Sequence, residues 1–261
     1  MSAAASSVLM SAPRFACKDL GLSVLRTIAV VFFSFIALAE ILLLAPLVRR
    51  SRRGAARANW LHNWCRFGCR VLGVNVNMQG TMPTSGLLVC NHLSYLDIIV
   101  ISSLRPCVFV AKRDVKTWPL FGWLASSAGT IFADRTRKLA SRAAVDLVLE
   151  AIENGVLVVL FPEGTSSDGA SVLPFKSALL EPAVGSYCPI TAATIDYSLT
   201  NGSVADEVCY WRDMTLVPHL LNLFTKPSIE AKLAISRYKG SSVERKELAR
   251  NLRQQIEEMR S

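Results

Sequence analysis

Between Ile28 and Val48 the chain runs IAVVFFSFIALAEILLLAPLV, 21 residues with one charged side chain, Glu40. A helix of about 20 apolar residues crosses the hydrocarbon core of a bilayer, so this block predicts a membrane-inserted helix. A buried core helix could share the composition, but the flank argues for insertion, because Arg49, Arg50, Arg52, Arg53 and Arg57 follow at once. Such a cluster resists translocation and attracts anionic head groups, at about 1 kcal/mol per basic residue near the surface. The leader before Ile28 is long and no small-x-small cleavage site follows the block, which predicts a retained signal-anchor or a half-inserted hairpin. A carboxyl at position 40 would have to be neutral, paired or lifted to the interface.

The rest of the composition agrees. Of a formal net charge of +9, five positive charges sit in that arginine cluster, so the basic balance points to membrane lipids. No zinc-finger spacing or RNA-binding aromatic signature appears, and no nucleic-acid partner is expected. The seven cysteines are odd in number and include no CxxC pair, which predicts reduced thiols used as small apolar residues, as suits a domain facing the cytoplasm.

Along the chain, residues 1 to about 25 show no period and predict a loose leader, and 26–48 predict the membrane helix. In RANWLHNWCRFGCRVLG, Trp60, Trp64, Phe67 and Val71 recur at steps of three or four. That spacing predicts an amphipathic helix over 57–72, its tryptophans either at the membrane interface or packed on the next domain. VLGVNVNM then alternates like a strand. GLLVC (86–90), CVFVA (107–111), TIFA (130–133) and VLVVLF (156–161) are short apolar runs of the kind covered on both faces in a parallel sheet. Lys138–Gly155 predicts a helix with a glycine cap. DEVCYWRDM and SIEAKLAISRY predict further strands, and SSVERKELARNLRQQIEEMR a closing helix with a capping box at Ser241 and Glu244. The expected class is therefore α/β, with a mixed, largely parallel central sheet flanked by helices and an N-terminal membrane-inserted segment. We divide the chain into a leader, anchor and polybasic flank (1–56) and the main domain (57–261).

Ligands of open α/β sheets bind beyond the carboxyl ends of the strands. After GLLVC come Asn91, His92 and, five residues on, Asp97; after CVFVA, Lys112; after TIFA, Asp134 and Arg135; after VLVVLF, Pro162, Glu163, Gly164 and Thr165. A histidine can accept a proton at neutral pH, and a carboxylate can fix its tautomer. On one continuous helix residues 92 and 97 would diverge, so the pair meets only if His92 lies in a turn before the helix. A histidine that merely caps that helix would give the same spacing. Neither Ser94 nor Cys90 fits a nucleophile, since no G-x-S-x-G elbow occurs and Cys90 ends a buried run. No second histidine lies at metal-ligand spacing. A base without a nucleophile suggests direct deprotonation of a bound alcohol, which then attacks an acyl group. Gly164 and Thr165 offer N–H groups that could cradle an anion, and Lys112 and Arg135 add positive charge.

NHLSYLD resembles the N-H-x4-D motif of the glycerolipid acyltransferases of the 1-acylglycerol-3-phosphate type. GTIFADR, FPEGT and CPITAATI resemble their second, third and fourth blocks, in the same order. The resemblance covers roughly residues 60–240. It implies transfer of a fatty acyl group from acyl-CoA or acyl carrier protein to a lysolipid hydroxyl, in phospholipid biosynthesis at the cytoplasmic face of the inner membrane. His92 would be the base and Asp97 its partner, with Glu163, Gly164 and Thr165 holding the acceptor and Lys112 and Arg135 facing its head group. No metal or bound cofactor is implied beyond the thioester co-substrate. One departure stands out: many phosphatidate-forming members carry an arginine after FPEGT that contacts the phosphate, and here that position is Ser166. FPEGTSSDG and WRDMTLVPHL look more like bacterial lyso-ornithine-lipid acyltransferases, whose acceptor has no phosphate. We rank lysophosphatidate first, because Lys112, Arg135 and the loop could still bind phosphate, and a lyso-ornithine lipid second. Of other classes, a thioesterase would use the same base on water, and a lipid-binding protein would keep His92 as a structural residue.

Overall fold

The short apolar runs become strands, and those at 86–90 and 157–160 are buried on both faces. The computed structural model describes residues 17–49, 52–118, 120–133, 138–184, 188–240 and 244–260. In it the helices are α1 (Cys17–Leu44), α2 (Arg53–Leu72), α3 (Leu96–Leu104), α4 (Phe121–Ser127), α5 (Lys138–Glu153), α6 (Val204–Glu207), α7 (Leu216–Leu223) and α8 (Arg245–Arg260). The strands are β1 (Val74–Gln79), β2 (Gly86–Cys90), β3 (Cys107–Lys112), β4 (Ile131–Ala133), β5 (Leu157–Leu160), β6 (Ile190–Ser198) and β7 (Ile229–Arg237). They form one seven-stranded sheet in the order β1-β7-β6-β2-β5-β3-β4. All neighbours are parallel except β6 and β7. The sheet is therefore mixed and largely parallel, as the pattern predicted.

Strand side chains alternate between faces, and here both faces are covered. Leu88 and Cys90 of β2, with Leu157 and Val159 of β5, pack toward Val100 and Ile101 of α3. Leu87 and Val89, with Val158 and Leu160, pack toward Ala144 and Val148 of α5 and Leu252 and Ile256 of α8. That is why these segments read as continuous rather than alternating apolar runs.

Helix α1 starts earlier than composition suggested, and a docking face accounts for this. Ser23, Arg26, Ala37 and Ile41 are buried at helical spacing. The Arg26 guanidinium donates to the carbonyls of Phe224, Lys226 and Pro227, just past the end of α7. Carbonyls at a helix C-terminus lack intrahelical donors and attract a cation. Ser23 Oγ donates to Leu221 O at 2.9 Å. These contacts hold the turns before Ile28 in helix, where the chain alone shows no period. At the other end, Trp60 Nε1 donates to Ala37 O at 3.1 Å and Trp64 Nε1 to Glu40 at 2.7 Å. The tryptophans of α2 thus face α1, and Glu40 is paired. The opposite face of α1 exposes Val24, Leu25, Ile28, Phe32, Phe35 and Leu43. The stretch Leu20–Leu44 is long and apolar enough to cross a membrane.

Residues 206–214 are not a strand. Ser203 Oγ accepts from Asp206 N, and Glu207 accepts from Ser203 N, so a capped turn of helix forms at 204–207. The following segment instead bonds to a neighbouring loop through Tyr210 N and Leu93 O, at 2.8 Å. Helix α8 matches the closing helix from Arg245 on, while Ser241 of the expected capping box lies outside the described residues.

Candidate active site

β2 ends at Cys90 and α3 begins at Leu96, so His92 and Asp97 lie on either side of a tight turn. The turn folds back because Asp97, in the first turn of α3, caps it: Asp97 Oδ2 accepts from Leu93 N at 2.8 Å and Ser94 N at 3.0 Å. The same oxygen accepts from His92 Nδ1 at 2.8 Å. Asp97 Oδ1 accepts from the Tyr197 hydroxyl at 2.7 Å. The carboxylate is fully buried, 0% exposed, and its four donors are what make burial of that charge tolerable. Since Asp97 can only accept, Nδ1 of His92 carries a hydrogen, so in the neutral ring it is Nε2 that holds the lone pair. The imidazole is stacked on Phe161, ring centroids 4.2 Å apart, and its side chain remains 21% exposed. A held, half-exposed imidazole with a free Nε2 can take a proton from a bound hydroxyl.

The other two histidines are engaged elsewhere. His62 Nδ1 bonds Ser102 O at 2.7 Å. His219 Nε2 donates to Cys209 O and Nδ1 pairs with the Tyr95 hydroxyl, and burial pushes its pKa down. Ser94 is fully buried, which rules it out as a nucleophile for an external substrate.

Glu163 follows the sharp stop of β5 and is 1% exposed. Its Oε1 accepts from His92 N at 2.8 Å and its Oε2 from Leu173 N at 3.1 Å. Both oxygens are committed to backbone, so Glu163 ties the 162–173 loop to the His92 turn rather than reaching into solvent. Ser167 N reinforces the tie by donating to His92 O at 3.0 Å. Burial pushes the Glu163 carboxyl up to about 7, against the pull of its two N–H donors and the nearby imidazole. The unfolded group ionises near 4.5, so between those values the folded state holds the extra proton and stability falls as pH rises, by roughly 3 kcal/mol across the window. We expect thermal unfolding to shift downward from pH 5 to 7, and Glu163→Gln to flatten that slope.

The remaining expected residues divide. Gly164 sits at φ +69°, which favours glycine, but its N–H donates to Phe161 O at 3.0 Å. That amide closes the turn and is not available to an anion. Thr165 is exposed at the rim. Lys112 is exposed at the carboxyl end of β3, two strands from β2, and no described contact ties it to His92 or Asp97. Arg135 lies outside the described residues. The roles of two groups escaped the sequence reading. Asn91 brackets Ile195, donating to its carbonyl at 2.9 Å and accepting from its N–H at 2.8 Å. Tyr197, two residues further along β6, reaches Asp97. The signal was the spacing of Ala193, Ile195 and Tyr197 on one strand face, with a hydroxyl at its end.

Comparison with known proteins gives a consistent family. The family model described as Acyltransferase matches residues 73–196. The lyso-ornithine lipid O-acyltransferase of Rhizobium meliloti is 34% identical over 224 residues, 77% of this chain and 75% of that protein. The 1-acyl-sn-glycerol-3-phosphate acyltransferase of Neisseria gonorrhoeae is 32% identical over 155 residues, 56% of this chain and 61% of that one. The crystal structure of the 1-acyl-sn-glycerophosphate acyltransferase from Thermotoga maritima shares the fold, with a TM-score of 0.64 at 24% identity, covering 94% of this chain and 97% of that one.

Proposed function

The chain belongs to the acyltransferase family, and on that premise we propose that it moves a fatty acyl group from a thioester to a lysolipid hydroxyl at a membrane surface, with His92 as general base. The observation that carries the base assignment is the His92–Asp97 contact, which makes Nε2 the acceptor nitrogen of the neutral, part-exposed ring. In the reaction the acceptor hydroxyl gives its proton to Nε2 as its oxygen bonds to the thioester carbonyl carbon. The tetrahedral intermediate then collapses, the C–S bond breaks, and the imidazolium returns the proton to the departing sulfur. Asp97 holds the ring and offsets the charge of the imidazolium. The donor is acyl-CoA or acyl carrier protein. The exposed apolar face of α1 and the arginines at the start of α2 support a seat on the cytoplasmic face of the inner membrane.

For the acceptor we now place a lyso-ornithine lipid before lysophosphatidate. Of the two relatives described, the one named for lyso-ornithine lipid matches along the greater length. The position after FPEGT also presents no cation: Ser166 is half-buried and its hydroxyl donates to the Tyr210 carbonyl. Exposed Lys112 keeps lysophosphatidate as the second reading. The test is turnover of the full chain in lipid vesicles with one acyl donor and each lysolipid in turn. We expect a preference for lyso-ornithine lipid, and Ser166→Arg to raise relative use of lysophosphatidate about tenfold, the scale of one charge-assisted hydrogen bond. A wild-type preference for lysophosphatidate reverses the order. An unaltered ratio in Ser166→Arg removes position 166 from the head-group site.

A further inference from the structure

We infer that Tyr197 is a positioning residue of this acyl transfer: its phenol holds Asp97 and, through that carboxylate, sets how readily the His92–Asp97 pair takes up a proton. The inference rests on the reading of His92 as the base. Tyr197 is buried on β6, and its hydroxyl donates to Asp97 Oδ1 at 2.7 Å. Its height along the strand is fixed by the two hydrogen bonds between Asn91 and Ile195. These lock β6 against the end of β2, so the phenol two residues on meets the carboxylate that closes the His92 turn. Asp97 Oδ2 already receives His92, Leu93 and Ser94, whereas among the described residues Tyr197 is the donor to Oδ1. Burial and the adjacent Asp97 carboxylate push the phenol well above its ordinary range, so it stays a donor at any working pH.

Removing that donor has a definite sign. A buried carboxylate stripped of one hydrogen bond binds protons more strongly and attracts the imidazolium more strongly. Both effects raise the proton affinity of the pair, which titrates as a unit. Among the described residues, Cys90 of β2, Cys209 in the segment before α7 and Glu163 also feel the charge of Asp97. Burial pushes both thiols up, so they remain neutral. Glu163 feels the charge of both His92 and Asp97, so wild type and variant are also compared in a Glu163→Gln background, where the remaining difference reports the phenol.

The test is the pH profile of kcat/KM for Tyr197→Phe, a nearly isosteric change, in the full chain in vesicles. We expect the acid limb to move to higher pH by about one unit, one such hydrogen bond being of that order. In an Asp97→Asn background the same change should leave the remaining profile where it was. If turnover is too low to read, the ring titration of His92, followed by NMR on histidine-labelled protein and assigned with His92→Ala, should show the same upward shift. An acid limb and a ring titration both at their wild-type positions overturn the role of Tyr197. A shifted ring titration beside an unmoved profile would instead leave Tyr197 coupled to the pair and remove His92 as the base.

Discussion

Replacing His92 with Ala should lower acceptor-dependent acyl transfer about 10³-fold, within the range of general-base contributions, while the domain stays folded. The loss is large because the other two histidines are committed to Ser102, Cys209 and Tyr95 and cannot substitute. The fold survives because Asp97 keeps three of its four donors, Leu93, Ser94 and Tyr197. What is lost structurally is a half-exposed ring and its stacking on Phe161, worth about 1 kcal/mol. Parallel assays and melting curves check this. Turnover equal to wild type would show that the imidazole takes no part in the chemistry.

Asp97→Asn should cost about 10²-fold in kcat or more, with KM for the acyl donor little changed. An asparagine oxygen can take the place of Oδ2 and keep the His92, Leu93 and Ser94 bonds, with its amide nitrogen toward the Tyr197 oxygen. The turn therefore persists, at a stability cost of about 1–2 kcal/mol. What disappears is the negative charge that stabilises the imidazolium formed as the acceptor loses its proton. A variant that unfolded instead would mark Asp97 as chiefly a cap of the α3 turn. One with wild-type kcat would show that the ring needs no charged partner.

Much of the sheet was legible because β2, β5 and the first half of β3 are buried on both faces, and short apolar runs record that directly. The dyad was legible because a strand end, a turn and a helix leave few ways to bring positions 92 and 97 together. What stayed hidden depended on partners far away in sequence. Helix α1 begins at Cys17 because Ser23 and Arg26 meet carbonyls about 200 residues later, contacts no local pattern encodes. Residues 206–214 carry strand-like side chains but lose the strand to a capped turn and to Leu93. Glu163 and Gly164 were expected to face the acceptor, yet their polar groups close the loop on which His92 stands. Tyr197 looks like an ordinary strand aromatic until β6 is locked against β2.

On the proposed mechanism one imidazole at the sheet's carboxyl rim deprotonates a lipid alcohol. Labelled acyl thioester supplied to vesicles carrying the full chain, with and without lysolipid, separates this step from its alternatives. Wild type should form labelled diacyl product only when lysolipid is present, and His92→Ala should form almost none. Labelled free fatty acid released equally with and without lysolipid, or diacyl product formed equally by both proteins, would rule out His92 as the base of an acyl transfer to lysolipid.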